Sequence, residues 1–149
     1  MSSQDTATTA RTPYDLFNKH NSDSKWLDHA AAAASEDCEL LNVPLSVTLR
    51  GLQGFKQFLQ GWATAFPDSK VEIISLFATE SQAVVEFICR GTHTGPLMGP
   101  SGELPPTGRK VELRFCDVHR IKNGKIVSLH SYYDALGLMQ QLGLVPSMR

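Results

Sequence analysis

The 149-residue chain has no excess of basic charge and no basic run. Its 14 lysines and arginines are balanced by 15 aspartates and glutamates, which gives a formal net charge of −1 at pH 7. Nucleic-acid-binding domains carry a basic patch, so we predict no nucleic-acid partner. No apolar run approaches the roughly 20 residues that span a membrane, and the N-terminus lacks the apolar stretch of a signal peptide. We therefore expect no membrane partner.

Cysteine is scarce, and the three present, Cys38, Cys89 and Cys116, form no CxxC pair. An odd and widely spaced set is typical of buried free thiols in a reducing compartment, so a cytoplasmic location is predicted. The glycine-rich nucleotide-binding motifs and the GxSxG motif of serine hydrolases are missing too. The histidines lack the HxxxH and HExxH spacings, and we expect no metal site.

The N-terminal third indicates helices that follow a polar arm. Residues 1–11 are small and polar and are predicted to be a disordered arm. Thr12 and Pro13 offer an N-cap and a first helical residue. A clearer helix runs from Leu52 to Phe66, because its apolar residues recur at helical spacing, and Pro67 ends it.

From residue 70 onward β patterns dominate, interrupted by a Gly- and Pro-rich segment over 91–108. That segment is too long for a hairpin turn and has the length of a functional lid. Helices first and antiparallel strands later indicate an α+β fold. We predict one domain over 12–149, with N-terminal helices packed on a curved, mostly antiparallel sheet.

The strongest local pattern is Asn123-Gly124, which is typical of a two-residue type I′ turn. If these are the loop residues, Lys122 pairs with Lys125 and every further pair follows from the register. The other pairs on the same face are then Ile121 with Ile126, His119 with Ser128, Asp117 with His130, Phe115 with Tyr132, and Leu113 with Asp134. Titratable and apolar groups would share this face.

Two groups on that face could carry acid–base chemistry. Asp117 and His130 would have Cβ atoms about 5 Å apart, as an imidazole base with its orienting carboxylate or as an ordinary polar pair. Asp134 stands at a strand-to-helix junction, where Asp is among the best N-caps. A carboxylate used as a cap has a lowered pKa, whereas a general base needs a pKa nearer neutral.

Several short motifs follow one another along the chain. They are Phe66-Pro67-Asp68, then Gly91-Thr92-His93-Thr94-Gly95, Pro106-Thr107-Gly108, Asn123-Gly124-Lys125-Ile126, and Asp134 followed by Gly137-Leu138-Met139 and Gln141-Leu142-Gly143. This ordered set, over roughly residues 12–146, resembles the SnoaL-like polyketide cyclase family. That family belongs to the nuclear transport factor 2-like superfamily of cone-shaped α+β folds.

The resemblance implies an apolar cavity in which a polyketide ester is closed by intramolecular aldol condensation, without metal or cofactor. It implies that Asp134 is the acid/base and that His119 assists it. Many relatives carry Trp near position 130, so His130 points to a different substrate or to loss of cyclase activity.

Six side chains are predicted to contact the substrate: Trp62, His93, Leu97, Met98, Phe115 and Tyr132. Trp62 lies on the apolar stripe of its helix, where a core role is the simpler interpretation. His93, Leu97 and Met98 lie in the lid segment, where His93 could equally be a turn residue.

Two functions remain open from the sequence. The first is a cofactor-free enzyme that cyclises or isomerises a small hydrophobic carbonyl or ester compound, with Asp134, His119, Asp117 and His130 as candidate catalytic residues. The alternative is a non-catalytic small-molecule-binding or dimerisation module. A homodimer would cover the second hairpin face, which in the predicted register carries Val118, Val127 and Leu129.

Overall fold

A computed structural model describes residues 2–146. Its helices are α1 (Ser3–Phe17), α2 (Trp26–Ala31), α3 (Gly51–Ala65) and α4 (Ala135–Gln141). Its strands are β1 (Ala34–Asn42), β2 (Val47–Arg50), β3 (Lys70–Ala78), β4 (Gln82–Thr92), β5 (Leu97–Gly99), β6 (Gly102–Leu104), β7 (Lys110–Lys122) and β8 (Lys125–Tyr133). Residue 1 of the predicted arm and residues 147–149 of the predicted domain lie outside the described residues.

Six strands form one open, curved sheet in the order β2-β1-β8-β7-β4-β3. The β1–β8 pair is parallel and the other neighbours are antiparallel. Helices α1 and α3 pack on one face, which we call the inner face, and the main apolar core lies between them and the sheet. The predicted α+β fold with a mostly antiparallel sheet is confirmed.

Helix α1 begins ten residues earlier than predicted, so residues 3–11 are helical rather than a disordered arm. Ser2 accepts a hydrogen bond from the backbone of Asp5, and the Asp5 carboxylate accepts one from the backbone of Ser2. This reciprocal capping box satisfies two amide groups that would otherwise lack partners at the helix start. Ala10 and Thr6 are fully buried against the sheet, which holds the first turns in place.

The hairpin turn is confirmed, but the register changes two residues beyond it. Asn123 and Gly124 have φ of 53° and 75°, as a type I′ turn requires, and Ile121 faces Ile126. Val127 is then an extra residue, because Arg120 pairs with Ser128. This β-bulge shifts every later pair by one position. Leu129, Ser131 and Tyr133 therefore face inward on β8.

The predicted pair of Asp117 and His130 is consequently wrong. Asp117 stands opposite Ser131, and His130 stands opposite Val118 on the outer face of the sheet. Tyr132 pairs with Cys116 on that outer face and is 45% exposed. Leu129, expected on a dimer surface, is buried instead.

The segment over 91–108 contains the small hairpin β5–β6 and is anchored to the end of α3. The backbone amides of Thr94 and Gly95 both donate to the carbonyl of Ala65, at 3.2 and 3.1 Å. A Cβ atom on Gly95 would lie 1.9 Å from the carbonyl oxygen of Thr64, so only glycine fits there. The hairpin is thereby held beside α3.

Two further sequence expectations concern residues 2–146 as a whole. Cys38, Cys89 and Cys116 are all free, as predicted, but only Cys38 and Cys89 are buried and Cys116 is half-buried. Within the described part of the chain, no helix is long and apolar enough to cross a membrane.

Candidate active site

An open cleft of about 390 Å³ lies between α3, the β1–β2 turn and the β5–β6 hairpin. Its apolar walls include Phe58, Trp62, Leu97 and Met98, and we call it the outer cleft. Its size falls in the range of small-molecule sites, which are about 300–1,000 Å³ and mostly apolar. Ligand-sized space therefore exists on the inner side of the sheet.

A second, smaller cavity of about 40 Å³ lies deeper, between α1, α3 and the sheet. We call it the inner cavity. Phe58 and Trp62 line both spaces, so these two side chains form the partition between them. The Trp62 ring is held edge-on against Phe115 and Tyr133, with centroids 5.2 Å away in each case. The inner cavity has room for a small polar group or a few waters.

Asp117 and Tyr14 supply the polar atoms of the otherwise apolar inner cavity. The Tyr14 hydroxyl donates to Asp117 Oδ2 at 2.7 Å and lies 2.7 Å from His119 Nε2. Asp117 and His119 are two residues apart on β7, so both side chains point to the inner face. Tyr14 reaches them from α1. All three side chains are buried. We call them the Asp117–Tyr14–His119 chain.

Burial has the largest effect on the pKa values of the Asp117–Tyr14–His119 chain. The pKa of Asp117 is raised to about 7 by desolvation, although the nearby Ser131 hydroxyl and the hydrogen bond from Tyr14 act in the opposite direction. The pKa of His119 is lowered to about 3 by desolvation alone, so its imidazole is neutral at pH 7. The pKa of Tyr14 is raised well above 10 by burial and by the nearby carboxylate of Asp117. Asp117 is thus the group that changes charge near neutral pH.

Several buried atoms around this chain lack a well-formed hydrogen bond. They are Asp117 Oδ1, His119 Nδ1 and Ser131 Oγ. Ser131 stands directly opposite Asp117 and is near enough to lower the pKa of Asp117, although the contact does not meet strict hydrogen-bond geometry. An unpaired carboxylate oxygen in a cavity is free to accept a proton or a hydrogen bond from a ligand.

The structure brings together most of the side chains that the sequence predicted as site residues. Asp117 and Phe115 line the inner cavity, and His119 lies behind Tyr14. Trp62, with Leu97 and Met98, lines the outer cleft. Leu97 is buried, whereas Met98 is 62% exposed at the mouth.

His130, Tyr132 and His93 are not brought to either space. The bulge turns His130 and Tyr132 to the outer face of the sheet. His93 is fully buried where the lid segment begins, and its Nδ1 accepts a hydrogen bond from the backbone of Thr107 at 3.2 Å. Its role in this geometry is to hold the two ends of the lid segment together.

Asp134 is the N-cap of α4, and its side chain is solvent-exposed. Its Oδ1 accepts a hydrogen bond from the backbone of Gly137 at 2.8 Å. A Cβ atom on Gly137 would lie 2.2 Å from Asp134 Oδ2, so the glycine leaves room for the carboxylate over the helix end. Asp134 lines neither the outer cleft nor the inner cavity.

Three buried or half-buried polar residues of these two spaces were not predicted from the sequence, Tyr14, Asn42 and Tyr133, and neither were three exposed residues on the cleft rim, Gln57, Gln60 and Thr64. Tyr14 lies on the same helical face as Ala10 and Phe17, and a phenol in such a stripe is the pattern that could have indicated it. Asn42 ends β1 among apolar neighbours, but its position in the wall of the outer cleft could not be predicted without the sheet order. Within residues 2–146 no three His, Cys, Asp or Glu side chains are grouped to hold a metal ion.

Comparison with known proteins gives a family and a fold. The family model described as SnoaL-like polyketide cyclase matches residues 9–142. None of the curated proteins searched matches the chain.

Similar solved structures include AclR from Streptomyces galilaeus, which is described as a proposed hydroxylase. It has 21% identity and a TM-score of 0.80, with 99% of this chain and 91% of that chain covered. A proposed SnoaL-like polyketide cyclase from Jannaschia sp. has 18% identity and a TM-score of 0.79, with coverage of 97% and 95%. IdmH, a proposed polyketide cyclase from Streptomyces antibioticus, has 24% identity and a TM-score of 0.71, with coverage of 91% and 96%.

Proposed function

The chain belongs to the SnoaL-like polyketide cyclase family, and from that premise we propose that it is a cofactor-free acid–base enzyme. Its reaction is the aldol cyclisation, or the isomerisation, of a hydrophobic carbonyl or ester compound. The observation that carries the proposal is Asp117: a buried carboxyl with a pKa raised to about 7, at the wall of an apolar cavity. A general base works best when its pKa lies near the working pH.

In the proposed reaction, the ionised Asp117 carboxylate removes a proton from the carbon α to a carbonyl group, at the end of the substrate that reaches from the outer cleft to the inner cavity. The electron pair of the broken C–H bond stays on the substrate, which becomes an enolate. The enolate carbon then attacks a second carbonyl of the same molecule, and the resulting alkoxide recovers the proton from Asp117. No net proton and no electron is exchanged with the protein, so the steps require no cofactor.

Tyr14 is the proposed donor to the developing oxyanion. While Asp117 is ionised, the Tyr14 hydroxyl donates to its Oδ2 at 2.7 Å. Once Asp117 holds a proton, that bond weakens and the hydroxyl becomes available to the enolate oxygen. Neutral His119, with its Nε2 protonated, donates to the Tyr14 oxygen and strengthens the phenol as a donor. His119 is thus a positioning residue in this proposal, and Asp134 is a helix cap.

Proton exchange tests the base without knowledge of the natural substrate. 2-Tetralone, a hydrophobic ketone with an acidic α C–H bond, is incubated with the protein in D₂O, and deuterium incorporation is followed by NMR. We expect exchange above the buffer rate, a loss of roughly 100-fold or more in Asp117→Asn, and an unchanged rate in Asp134→Asn. If Asp134→Asn is slow and Asp117→Asn is not, Asp134 is the base and the proposal is wrong.

The same experiment addresses the alternative, a non-catalytic binding module. 2-Tetralone that quenches tryptophan fluorescence saturably, yet shows no exchange above buffer, would favour binding alone. Circular dichroism of each variant shows whether a lost rate reflects lost chemistry or lost structure.

A homodimer and a cytoplasmic location are further parts of the proposal. A cross-strand row on the outer face joins Phe77, Val84, Val118, His130 and Leu41. Phe77 is 71% exposed, and such a row is suited to burial against a second copy. Light scattering of Val118→Glu tests the dimer, which should dissociate. The three free thiols support a reducing compartment.

A further inference from the structure

The outer cleft has one polar side chain that is more than nine-tenths buried, and it is Asn42, at 9% exposure. Gln57, Gln60 and Thr64 also line the cleft, but they are exposed on the rim of α3. A hydrogen bond made inside an apolar pocket is less opposed by water than one made at an exposed rim. Asn42 is therefore the group of the outer cleft that could select a ligand by a hydrogen bond to one of its polar atoms.

The orientation of the Asn42 amide is fixed by Tyr133. The Tyr133 hydroxyl donates to Asn42 Oδ1 at 2.9 Å, so the carbonyl side of the amide is occupied. Among residues 2–146, Asn42 Nδ2 donates to no acceptor. The Tyr133 ring is itself held against Trp62 and Phe115, with centroid separations of 5.2 and 5.1 Å. Asn42 thus presents donors, rather than acceptors, to the cleft.

The sheet register sets how far this donor lies from Asp117. Asn42 pairs with Ser131, and Ser131 pairs with Asp117, so the three residues form one row across β1, β8 and β7. All three are buried on the inner face. Adjacent strands are about 4.8 Å apart, which puts Asn42 roughly 10 Å from Asp117 along the row. Trp62, which lines both the outer cleft and the inner cavity, packs against Tyr133 and Phe115, and these lie two residues from Ser131 and Asp117 on the same strands.

Resting on the function proposed above, we infer that Asn42 is a specificity-determining donor and that Tyr133 is its positioning residue. Asn42 Nδ2 binds an acceptor oxygen, a carbonyl or ester oxygen, on the body of the substrate in the outer cleft. The substrate class is a ring-containing hydrophobic compound in which this oxygen lies roughly 10 Å from the carbon that loses its proton. A one-ring ketone is too short to reach both Asn42 and Asp117.

Binding of 9-fluorenone and fluorene tests the inference, because the two probes differ at one carbon only, which is a carbonyl in 9-fluorenone and a CH₂ group in fluorene. The chain has two tryptophans, and Trp26 lines neither space, so Trp26→Phe leaves Trp62 as the reporter. Tyr14→Phe and Asp117→Leu in the same background remove both groups of the inner cavity that could donate to a ketone, the phenol and the protonated carboxyl. Any preference for the ketone must then arise in the outer cleft. Trp62 quenching gives the two dissociation constants and their ratio.

In this background we expect 9-fluorenone to bind roughly three- to tenfold more tightly than fluorene, as one neutral hydrogen bond allows. Asn42→Leu and the isosteric Asn42→Asp should both bring the ratio to about one. Tyr133→Phe should lower the ratio while the affinity for fluorene stays within about twofold, which a merely structural loss would not do. Retained fluorene binding shows that each variant has an intact cleft.

The inference is overturned if the background shows no preference for the ketone, or if the preference survives in both Asn42 variants. These outcomes depend on binding and not on turnover. Their failure therefore leaves the deuterium-exchange test of Asp117 unaffected, and a failure of that exchange leaves the role of Asn42 standing.

Discussion

The Tyr14 hydroxyl and the Asp117 carboxylate meet at 2.7 Å, although 103 residues separate them in the chain. Their contact joins the first helix to the longest strand inside the core. Both groups are buried, and burial moves the pKa of each upward. A carboxyl kept near half-protonation beside a phenol that stays protonated is suited to exchange a proton with a substrate.

Tyr14→Phe should lower the rate of 2-tetralone exchange and move its pH dependence. The Tyr14 hydrogen bond stabilises ionised Asp117, so its removal raises the pKa of Asp117 above its present value of about 7. The exchange rate should therefore reach its plateau at higher pH, and the plateau should fall by roughly 100-fold if Tyr14 also stabilises the enolate. Tyr132→Phe, on the outer face, is the matched control and should leave the whole profile unchanged.

Asp117→Asn should change how stability depends on pH. The pKa of Asp117 is about 7 in the folded protein, against 3.8 for an Asp side chain in the unfolded chain. Between these values the native state holds a proton that the unfolded state has released, so this group's contribution is present at low pH and lost as pH rises to about 7. The free energy of unfolding of the variant, relative to wild type, should therefore rise over this window by at most about 4 kcal/mol.

Urea denaturation of both proteins at several pH values between 4 and 8 checks this difference. His119 has the opposite dependence, because its pKa is lowered and its contribution is lost as pH falls. Both proteins contain His119, so its effect largely cancels in the difference. Parallel stability curves for the two proteins would contradict the raised pKa of Asp117.

Asp134→Ala should reduce stability without changing proton exchange. The substitution removes the acceptor of the Gly137 amide at the start of α4, and loss of an N-cap costs about 1 kcal/mol. Asp134→Asn keeps an acceptor oxygen at the cap and should lie within a few tenths of a kcal/mol of wild type. Denaturation midpoints measure the difference, and equal midpoints for the two variants would argue against the cap.

The turn and the bulge mark how far local sequence determines this site. Asn123-Gly124 predicts the type I′ turn, because few other residue pairs adopt two positive φ values. Nothing about Val127 distinguishes it from an ordinary strand residue, so the bulge that it forms could not be predicted. The predicted alternation of inward- and outward-facing side chains along β7 is therefore confirmed for Phe115 and His119. Their partners on β8 lie one residue further along than predicted.

Helix α1 illustrates a second limit. The Ser2–Asp5 capping pattern is present in the sequence, but the small polar residues that follow carry no apolar stripe until Ala10. Packing against the sheet makes these turns stable, and that packing depends on residues far along the chain. Tyr14 could be predicted as a buried aromatic residue, but its bond to Asp117 could not.

Ser131→Ala should raise the pKa of Asp117, and His130→Ala should not. In the bulged register Ser131 is the residue opposite Asp117, and its hydroxyl favours the ionised carboxylate. Without that hydroxyl, less interaction counters the effect of desolvation, so the pKa of Asp117 must rise. Titration of the Asp117 carboxyl by ¹³C NMR in labelled protein measures both variants directly. If the pKa of Asp117 shifts in His130→Ala and not in Ser131→Ala, the result would support the register without the bulge, in which His130 faces Asp117.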